Sequence, residues 1–104
     1  MDDKMIEIAF GIICNSGDAK SLAMEAIDLA KEKDISRAKE KIKSAKETLI
    51  EAHGFQTNLI QKEAGGERFD ISLLLIHSQD HLMNTMTTIQ LADELITIYE
   101  LLNK

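Results

Sequence analysis

The chain has 104 residues, the size of one ordinary domain, so the sequence predicts a single domain over residues 1–104. Proline is absent, there are only 5 glycines, and aromatic residues make up 4%, a composition that favours helices over a β-sandwich or barrel. The 18 acidic and 12 basic residues give a formal net charge of −6, which argues against binding to nucleic acid or to anionic lipid.

Several features bear on the cellular compartment. The single cysteine, Cys14, cannot form an internal disulfide and lies in an apolar run, so we expect a small buried side chain in a reducing compartment. The first residues are acidic where a signal peptide would be basic. The longest apolar run, Ile71–Ile76, is interrupted by Ser72 and is far shorter than the roughly 20 residues of a membrane span. These features predict a soluble cytoplasmic protein.

The hydrophobic pattern predicts three helical segments, at residues 3–32, 35–64 and 68–102. They are separated by Lys33–Ser36 and by the glycine pair at 65–66.

The first two segments have distinct local signals. Asn15–Asp18 combines helix-weakening residues with candidate caps, so we expect a kink or a brief break in the first helix. Asp34 is the best candidate for the N-cap of the second helix. The second segment carries a narrow seam at alternating spacings of four and three: Ala38, Ile42, Ala45, Leu49, Ala52, Gln56 and Leu59. Its small residues predict close packing of helices.

The third segment carries two apolar stripes about 140° apart on a helix with 100° per residue. The first stripe comprises Leu75, Leu82, Met86, Ile89 and Ile96. The second stripe comprises Leu73, Ile76, Met83, Leu91 and Ile98. A helix in an isolated three-helix bundle needs only one apolar face, so the second stripe indicates that this segment also mediates oligomerisation.

Asp80 interrupts the second stripe, because it occupies the four-three spacing between Ile76 and Met83. A buried carboxylate must be paired, protonated or bound to metal. Around a symmetry axis, copies of Asp80 would converge and need a cation, for which Mg²⁺ is suited. Alternatively, Asp80 lies at the edge of the stripe and is solvated or paired with a lysine.

Two histidines flank this position. His77 and His81 are four residues apart, so their side chains should stack on one side of the helix. Imidazole can act as a base, a nucleophile or a metal ligand near neutral pH, although such a pair is also common on surfaces without a function. His53 is predicted to be a surface or bundle-edge histidine, and the sequence contains no phosphate-binding loop and no zinc-peptidase motif.

Three parts of the chain carry a resemblance to a known family. They are Gly11–Ile13 with Asn15–Ala26, then Glu51–His53 with Gln56, Thr57 and Ile60–Ala64, and finally Ser72–Met83, which is the most specific. Through them the chain resembles the IIA component of the lactose and cellobiose family of the bacterial phosphoenolpyruvate-dependent sugar phosphotransferase system.

The resemblance implies an all-α, antiparallel three-helix bundle subunit that assembles as a homotrimer. It implies that His77 accepts a phosphoryl group from the phosphorylated histidine-containing carrier protein and passes it to a cysteine of the IIB component. The sugar would then be phosphorylated as it enters through the membrane IIC component. The family's metal-binding aspartate, on the trimer axis, corresponds to Asp80, in agreement with the stripe argument.

Two other functions are compatible with parts of this sequence pattern. A non-catalytic helical adaptor or assembly module would also explain two apolar faces on one helix. A phosphotransfer module of two-component signalling would also use an exposed histidine on a helix, but such modules place lysine and glycine soon after it, whereas Gln79-Asp80-His81 follows here.

Overall fold

The computed structural model describes residues 3–104 and contains three long helices: α1 (Asp3–Lys31), α2 (Ile35–Ala64) and α3 (Leu73–Leu102). They form an elongated bundle of 53 × 22 × 18 Å in which α1 packs against both other helices. No helix of the described part of the chain is long and apolar enough to cross a membrane.

The connection between α1 and α2 is a tight turn at residues 32–34 that makes the two helices antiparallel. Lys33 adopts a left-handed backbone conformation with φ of 69°. The Asp34 carboxylate accepts a hydrogen bond of 3.2 Å from the backbone N–H of Arg37, which confirms Asp34 as the N-cap of α2. Such a cap stabilises a helix by about 1 kcal/mol.

The start of α3 differs from the sequence-based boundary, since the helix begins at Leu73 and not at residue 68. The backbone of Ser72 is extended, and its Oγ accepts a hydrogen bond of 3.1 Å from the N–H of Leu75. This serine cap defines the helix start, while the chain between Gly66 (φ of 101°) and Ser72 is not helical. Side-chain capping therefore outweighs the helical pattern of residues 68–72.

Helix α1 runs without interruption through Asn15–Asp18, so the predicted break does not occur. Ser16 is fully buried between Ile12 and Ala19 on the face that packs against the rest of the bundle. A glycine within a helix costs about 1 kcal/mol relative to alanine. Packing of this continuous face outweighs the weak local propensity at Gly17.

The core follows the two predicted seams. In α2 the seam residues from Ala38 to Ala52 are buried, and Gln56 and Leu59 are half-buried. In α3 the first stripe faces the core, with its central residues Leu82 and Ile89 buried. Alanines occupy much of the interface and let the helices approach closely: Ala9, Ala19, Ala23, Ala26, Ala30, Ala38, Ala45, Ala52 and Ala92.

Two ion pairs fix the register of α2 against α3. Lys39 Nζ lies 2.8 Å from Glu100 Oε2, and Lys46 Nζ lies 2.9 Å from Asp93 Oδ2. The hydrogen bond that Lys39 donates holds the pKa of the Glu100 carboxyl below its ordinary value. Both pairs lie in water, so they specify the pairing of the helices more than they stabilise the fold.

The expectation that Cys14 is buried is wrong for the isolated subunit, in which its side chain is exposed. The buried face of α1 passes through Ile12 and Ser16, and a residue two positions from either of them points away from that face. An apolar run around a residue therefore does not bury it when the helix has only one packed side.

Candidate functional site

The candidate site lies at the beginning of α3, where His77 and His81 form a direct pair. The Nε2 atoms of the two rings are 3.0 Å apart, and the ring centroids are 4.4 Å apart with the planes at 89°. The predicted stacking of the two side chains on one side of the helix is therefore present. A hydrogen bond of this length requires one nitrogen to donate and the other to accept, so at least one Nε2 carries no proton.

His77 is the more exposed member of the pair, while His81 is half-buried. Side chains of an α-helix tilt toward its N-terminus, so the ring of His77 lies over the first turn of α3. The backbone N–H groups of that turn form the positive end of the helix dipole, which favours an anionic group. An accessible imidazole at this position can accept a phosphoryl group without burying its charge.

Two serines hold the backbone that carries His77. The cap at Ser72 begins the helix, and the buried Ser78 hydroxyl donates a hydrogen bond of 2.7 Å to the carbonyl of Leu75. Both hydroxyls bond to Leu75, one to its N–H and the other to its carbonyl, and together they hold the first turn of α3 in place.

A glutamine pair ties this turn to α2. Gln56 Nε2 donates a hydrogen bond of 2.9 Å to Gln79 Oε1, and Gln79 Nε2 lies 3.3 Å from Ser78 Oγ. The position of Gln56 on the α2 seam does not by itself indicate a role at the site. The signal that could have indicated such a role is a polar residue between Ala52 and Leu59 in an otherwise apolar seam.

Asp80 is exposed on the opposite side of α3 from the core. It forms no ion pair or hydrogen bond with any of residues 3–104, so it is not paired with a lysine of its own subunit. The described residues also contain no group of three or more histidine, cysteine or acidic side chains placed to hold a metal ion. A metal site with three or more such side chains at Asp80 would therefore need ligands from further copies of residues 3–104.

Asp80 lies within the second stripe of α3, and this stripe is uncovered in the isolated subunit. The relative exposure of its five apolar residues is 82% for Leu73, 55% for Ile76, 50% for Met83, 60% for Leu91 and 50% for Ile98. Soluble monomers rarely expose a contiguous apolar surface of this extent. On the neighbouring helix α1, Phe10 and Met24 are about half exposed as well.

His53 is exposed on α2, as predicted, and is not part of the histidine pair. It therefore offers a histidine of the same chain that is separate from the candidate site.

Comparison with known proteins places this arrangement in a family. The family model described as "PTS system, Lactose/Cellobiose specific IIA subunit" matches residues 7–100. The lichenan-specific phosphotransferase enzyme IIA component of Bacillus subtilis is 49% identical over 96% of this chain and 91% of its own length. The N,N'-diacetylchitobiose-specific IIA component of Escherichia coli is 42% identical over 94% of this chain and 84% of its own.

Solved structures agree with these relatives. The crystal structure of the cellobiose-specific enzyme IIA of Bacillus anthracis superimposes with a TM-score of 0.93 at 50% identity, covering 99% of this chain and 94% of that one. The IIA(chitobiose) chain in its solution complex with HPr from Escherichia coli gives a TM-score of 0.84 at 40% identity, covering 99% and 100%. The chain therefore belongs to the lactose/cellobiose-specific IIA subunits, the phosphotransferase subunits of sugar-specific phosphotransferase systems (PTS).

Proposed function

We propose that His77 is the phosphoryl acceptor of this IIA subunit. It receives the group from the phosphorylated histidine-containing carrier protein, HPr, and passes it to a cysteine of the cognate IIB component. The observation that carries the proposal is an exposed imidazole at the start of α3, paired at 3.0 Å with a second imidazole on a backbone fixed by two serines. The solution complex of the chitobiose IIA component with HPr supports the choice of donor.

The chemistry requires little covalent machinery. An unprotonated ring nitrogen attacks phosphorus, and the resulting phosphoramidate remains a good phosphoryl donor because its nitrogen leaves readily. Phosphoryl transfer depends mainly on alignment and on stabilising the charge of the equatorial oxygens. The fixed first turn of α3 provides the alignment, and its N-terminal dipole favours the anionic group.

The working form of the protein is proposed to be a homotrimer that assembles through the second stripe of α3. The support for this assembly is the set of five apolar side chains that are at least half exposed in one subunit. Burial of such a face removes apolar surface from water, which is the main driving force of association. The aspartate in the middle of the same stripe would then face its own copies around the axis.

A divalent metal ion, Mg²⁺, is proposed to be held on that axis by the carboxylates of Asp80. Hard oxygen ligands are those that Mg²⁺ prefers, and one carboxylate from each subunit is consistent with the lack of a metal cluster among residues 3–104 of one chain. The ion would offset the repulsion between like charges and so stabilise the trimer. The phosphoryl step is not assigned to this ion.

The subunit is proposed to act in the cytoplasm, where it supplies the phosphoryl group for uptake and phosphorylation of a disaccharide of the lactose, cellobiose or chitobiose type. The names of two relatives, a chitobiose-specific and a lactose-specific component, support a disaccharide substrate. The sugar itself passes through the membrane IIC component, which the subunit serves indirectly through IIB.

The test is phosphorylation of the purified protein by phosphoenolpyruvate, Enzyme I and HPr, followed by intact-mass analysis. We expect one acid-labile phosphoryl adduct on the native chain, none on His77→Ala, and full labelling of the matched control His53→Ala. Labelling that survives in His77→Ala would overturn the assignment of this residue. Absence of any adduct with an active set of partners would favour the adaptor function instead.

A further inference from the structure

We infer that a cleft between α1 and α2 is a binding site for a phosphorylated sugar. The cleft encloses about 620 Å³, within the range of about 300–1,000 Å³ that is usual for small-molecule sites. Its lining residues come from α1, from α2 and from residues 67–69, which follow α2. The cleft is therefore separate from the histidine pair and from the second stripe, both of which belong to α3.

Three basic side chains line the cleft: Lys4, Lys62 and Arg68. None of the three forms an ion pair or a side-chain hydrogen bond with another of residues 3–104. Four basic residues elsewhere are paired with carboxylates: Arg37, Lys39, Lys41 and Lys46. The chain has a net charge of −6, and Lys62 and Arg68 are its only basic residues between positions 47 and 103. An anion that approaches this end of the bundle therefore meets positive charge mainly in this cleft.

A phosphate monoester matches such a set of cations. Its dianionic group has several acceptor oxygens, so a guanidinium can bind it through two hydrogen bonds while an ammonium binds as a point charge. Lys4 lies at the start of α1, Lys62 in the last turn of α2, and Arg68 in the connection to α3. Because the three cations come from different elements, they can hold one phosphate group from different directions.

The rest of the lining is suited to a sugar. It provides an apolar floor of Met5, Ile8, Phe55, Leu59 and Phe69, and three polar acceptors, Glu51, Asn58 and Glu67. The C–H face of a sugar ring packs against aromatic and aliphatic side chains, and sugar hydroxyls donate hydrogen bonds to carboxylate and amide oxygens. The choice of an anion rests on the cations alone. The choice of a sugar also rests on the proposed function, whose product is a phosphorylated disaccharide.

Gly54 keeps the middle of the cleft open. It lies inside α2, where glycine is less favourable than alanine. A Cβ atom at this position would meet no heavy atom within 4 Å, so packing among residues 3–104 does not require a glycine. Since Gly54 lines the cleft, a longer side chain at this position would extend into the space assigned to the ligand.

Ligand binding would act on the connection between α2 and α3. Arg68 and Phe69 belong to this non-helical segment, which ends at the Ser72 cap. A ligand held by these two residues and by the two long helices would restrain the segment. Amide hydrogen exchange at residues 67–71 should therefore slow when the cleft is occupied.

The test is titration of the purified full chain with three compounds: cellobiose phosphate, inorganic phosphate and cellobiose. Calorimetry would measure the affinities, and ¹H–¹⁵N spectra would locate the affected amides. We expect cellobiose phosphate to bind and to shift the amides of Gly54, Asn58 and Arg68. Inorganic phosphate should bind at least about 10-fold more weakly, because it covers little of the apolar floor, and cellobiose more weakly still.

Two variants change the cleft independently. Arg68→Gln should weaken binding of cellobiose phosphate about 10-fold, since it removes a charge-assisted contact at an exposed position. Gly54→Leu should abolish binding by filling the cleft, and urea denaturation should show that it folds at least as stably as the native chain. The matched control is Arg37→Gln, which changes the other arginine of the chain, at the opposite end of α2, and should bind normally.

Several outcomes would overturn the inference. Cellobiose phosphate that shifts no amide of the cleft would exclude the site, as would unchanged binding in a folded Gly54→Leu protein. Equal affinities for inorganic phosphate and cellobiose phosphate would reduce the cleft to a simple anion site and exclude recognition of the sugar.

Failure of the inference can be distinguished from failure of the proposed function. If the native chain is phosphorylated and His77→Ala is not, but cellobiose phosphate does not bind, the carrier function stands and the assignment of the cleft is lost. If cellobiose phosphate binds in the cleft but no partner set phosphorylates the chain, the cleft stands and the carrier function is lost.

Discussion

Replacement of Asp80 by leucine tests whether the second stripe of α3 is an interface between subunits. Asp80 occupies the position between Ile76 and Met83, whose relative exposures are 55% and 50% in one subunit. Leucine at this position would make the stripe continuous. In a homotrimer the change would also remove three converging charges and the need for a cation between them.

The expected magnitude follows from apolar burial. Burying one leucine side chain stabilises by about 2 kcal/mol, which gives about 6 kcal/mol for three subunits. That corresponds to about four powers of ten in the dissociation constant of the trimer. Since the concentration of half-dissociation for a trimer varies as the square root of this constant, it should fall about 100-fold in Asp80→Leu.

Sedimentation over a range of protein concentrations, with and without a chelator, measures this effect. The proposed trimer should loosen when divalent ions are removed, and Asp80→Leu should be tighter and indifferent to chelation. Asp80→Asn is the matched control, because it removes the charge without adding an apolar side chain and should also lose the response to chelator. A monomeric Asp80→Leu protein, or a native protein unaffected by chelation, would refute the reasoning.

Three further predictions concern the packing of the subunit, each measured at one fixed protein concentration. Ser16→Ala should raise the free energy of unfolding by about 1–2 kcal/mol in urea denaturation, because the buried Ser16 hydroxyl has no hydrogen-bond partner among residues 3–104. The matched variant Thr85→Val should lower the free energy of unfolding by about 1 kcal/mol, because the Thr85 hydroxyl donates a hydrogen bond of 3.0 Å to the carbonyl of Ser16. A Ser16→Ala protein that is less stable than the native chain would contradict the argument. The ion pair of Lys39 with Glu100 contributes stability that is fully present above the ordinary carboxyl pKa of 4.5 and is lost as the pH falls through the lowered pKa of Glu100 in the folded protein. The difference in urea midpoint between the native chain and Glu100→Gln should therefore vanish in acid, and it should shrink in high salt. Gln56→Leu should reduce the rate of phosphorylation several-fold and speed amide hydrogen exchange in the first two turns of α3, because it removes the 2.9 Å hydrogen bond between α2 and that segment. Unchanged hydrogen exchange in these turns would show that the bond does not hold them in place.

The regular part of the fold was accessible from sequence because its signals are periodic. The α2 seam and the first stripe of α3 repeat at helical spacing, and both face the core as predicted. Asp34 was identified as a cap because a carboxylate before a helical pattern can satisfy a free N–H of the first turn. The histidine pair followed from the four-residue spacing of the two side chains.

The structure differs from the sequence-based predictions where a local signal competes with packing or with a neighbouring side chain. The Asn15–Asp18 segment is weak as an isolated helix, but its buried face is continuous with the rest of α1, so it stays helical. Helix α3 begins at Leu73 and not at residue 68, because the Ser72 hydroxyl caps the helix at that point. Cys14 was expected inside on account of its apolar neighbours, although the helix turns it outward.

The sequence by itself therefore determined the helices, the core seams, the acidic net charge, the histidine pair and the position of Asp80, because these depend on periodicity, charge and residue chemistry along one chain. The choice of His77 within the pair came from the family resemblance. Only the tertiary structure decided which polar groups meet. The Gln56 and Gln79 amides are 23 positions apart in sequence, yet they are hydrogen-bonded because α2 and α3 lie side by side. The contact between the two histidine Nε2 atoms likewise depends on side-chain rotamers, which no spacing rule fixes.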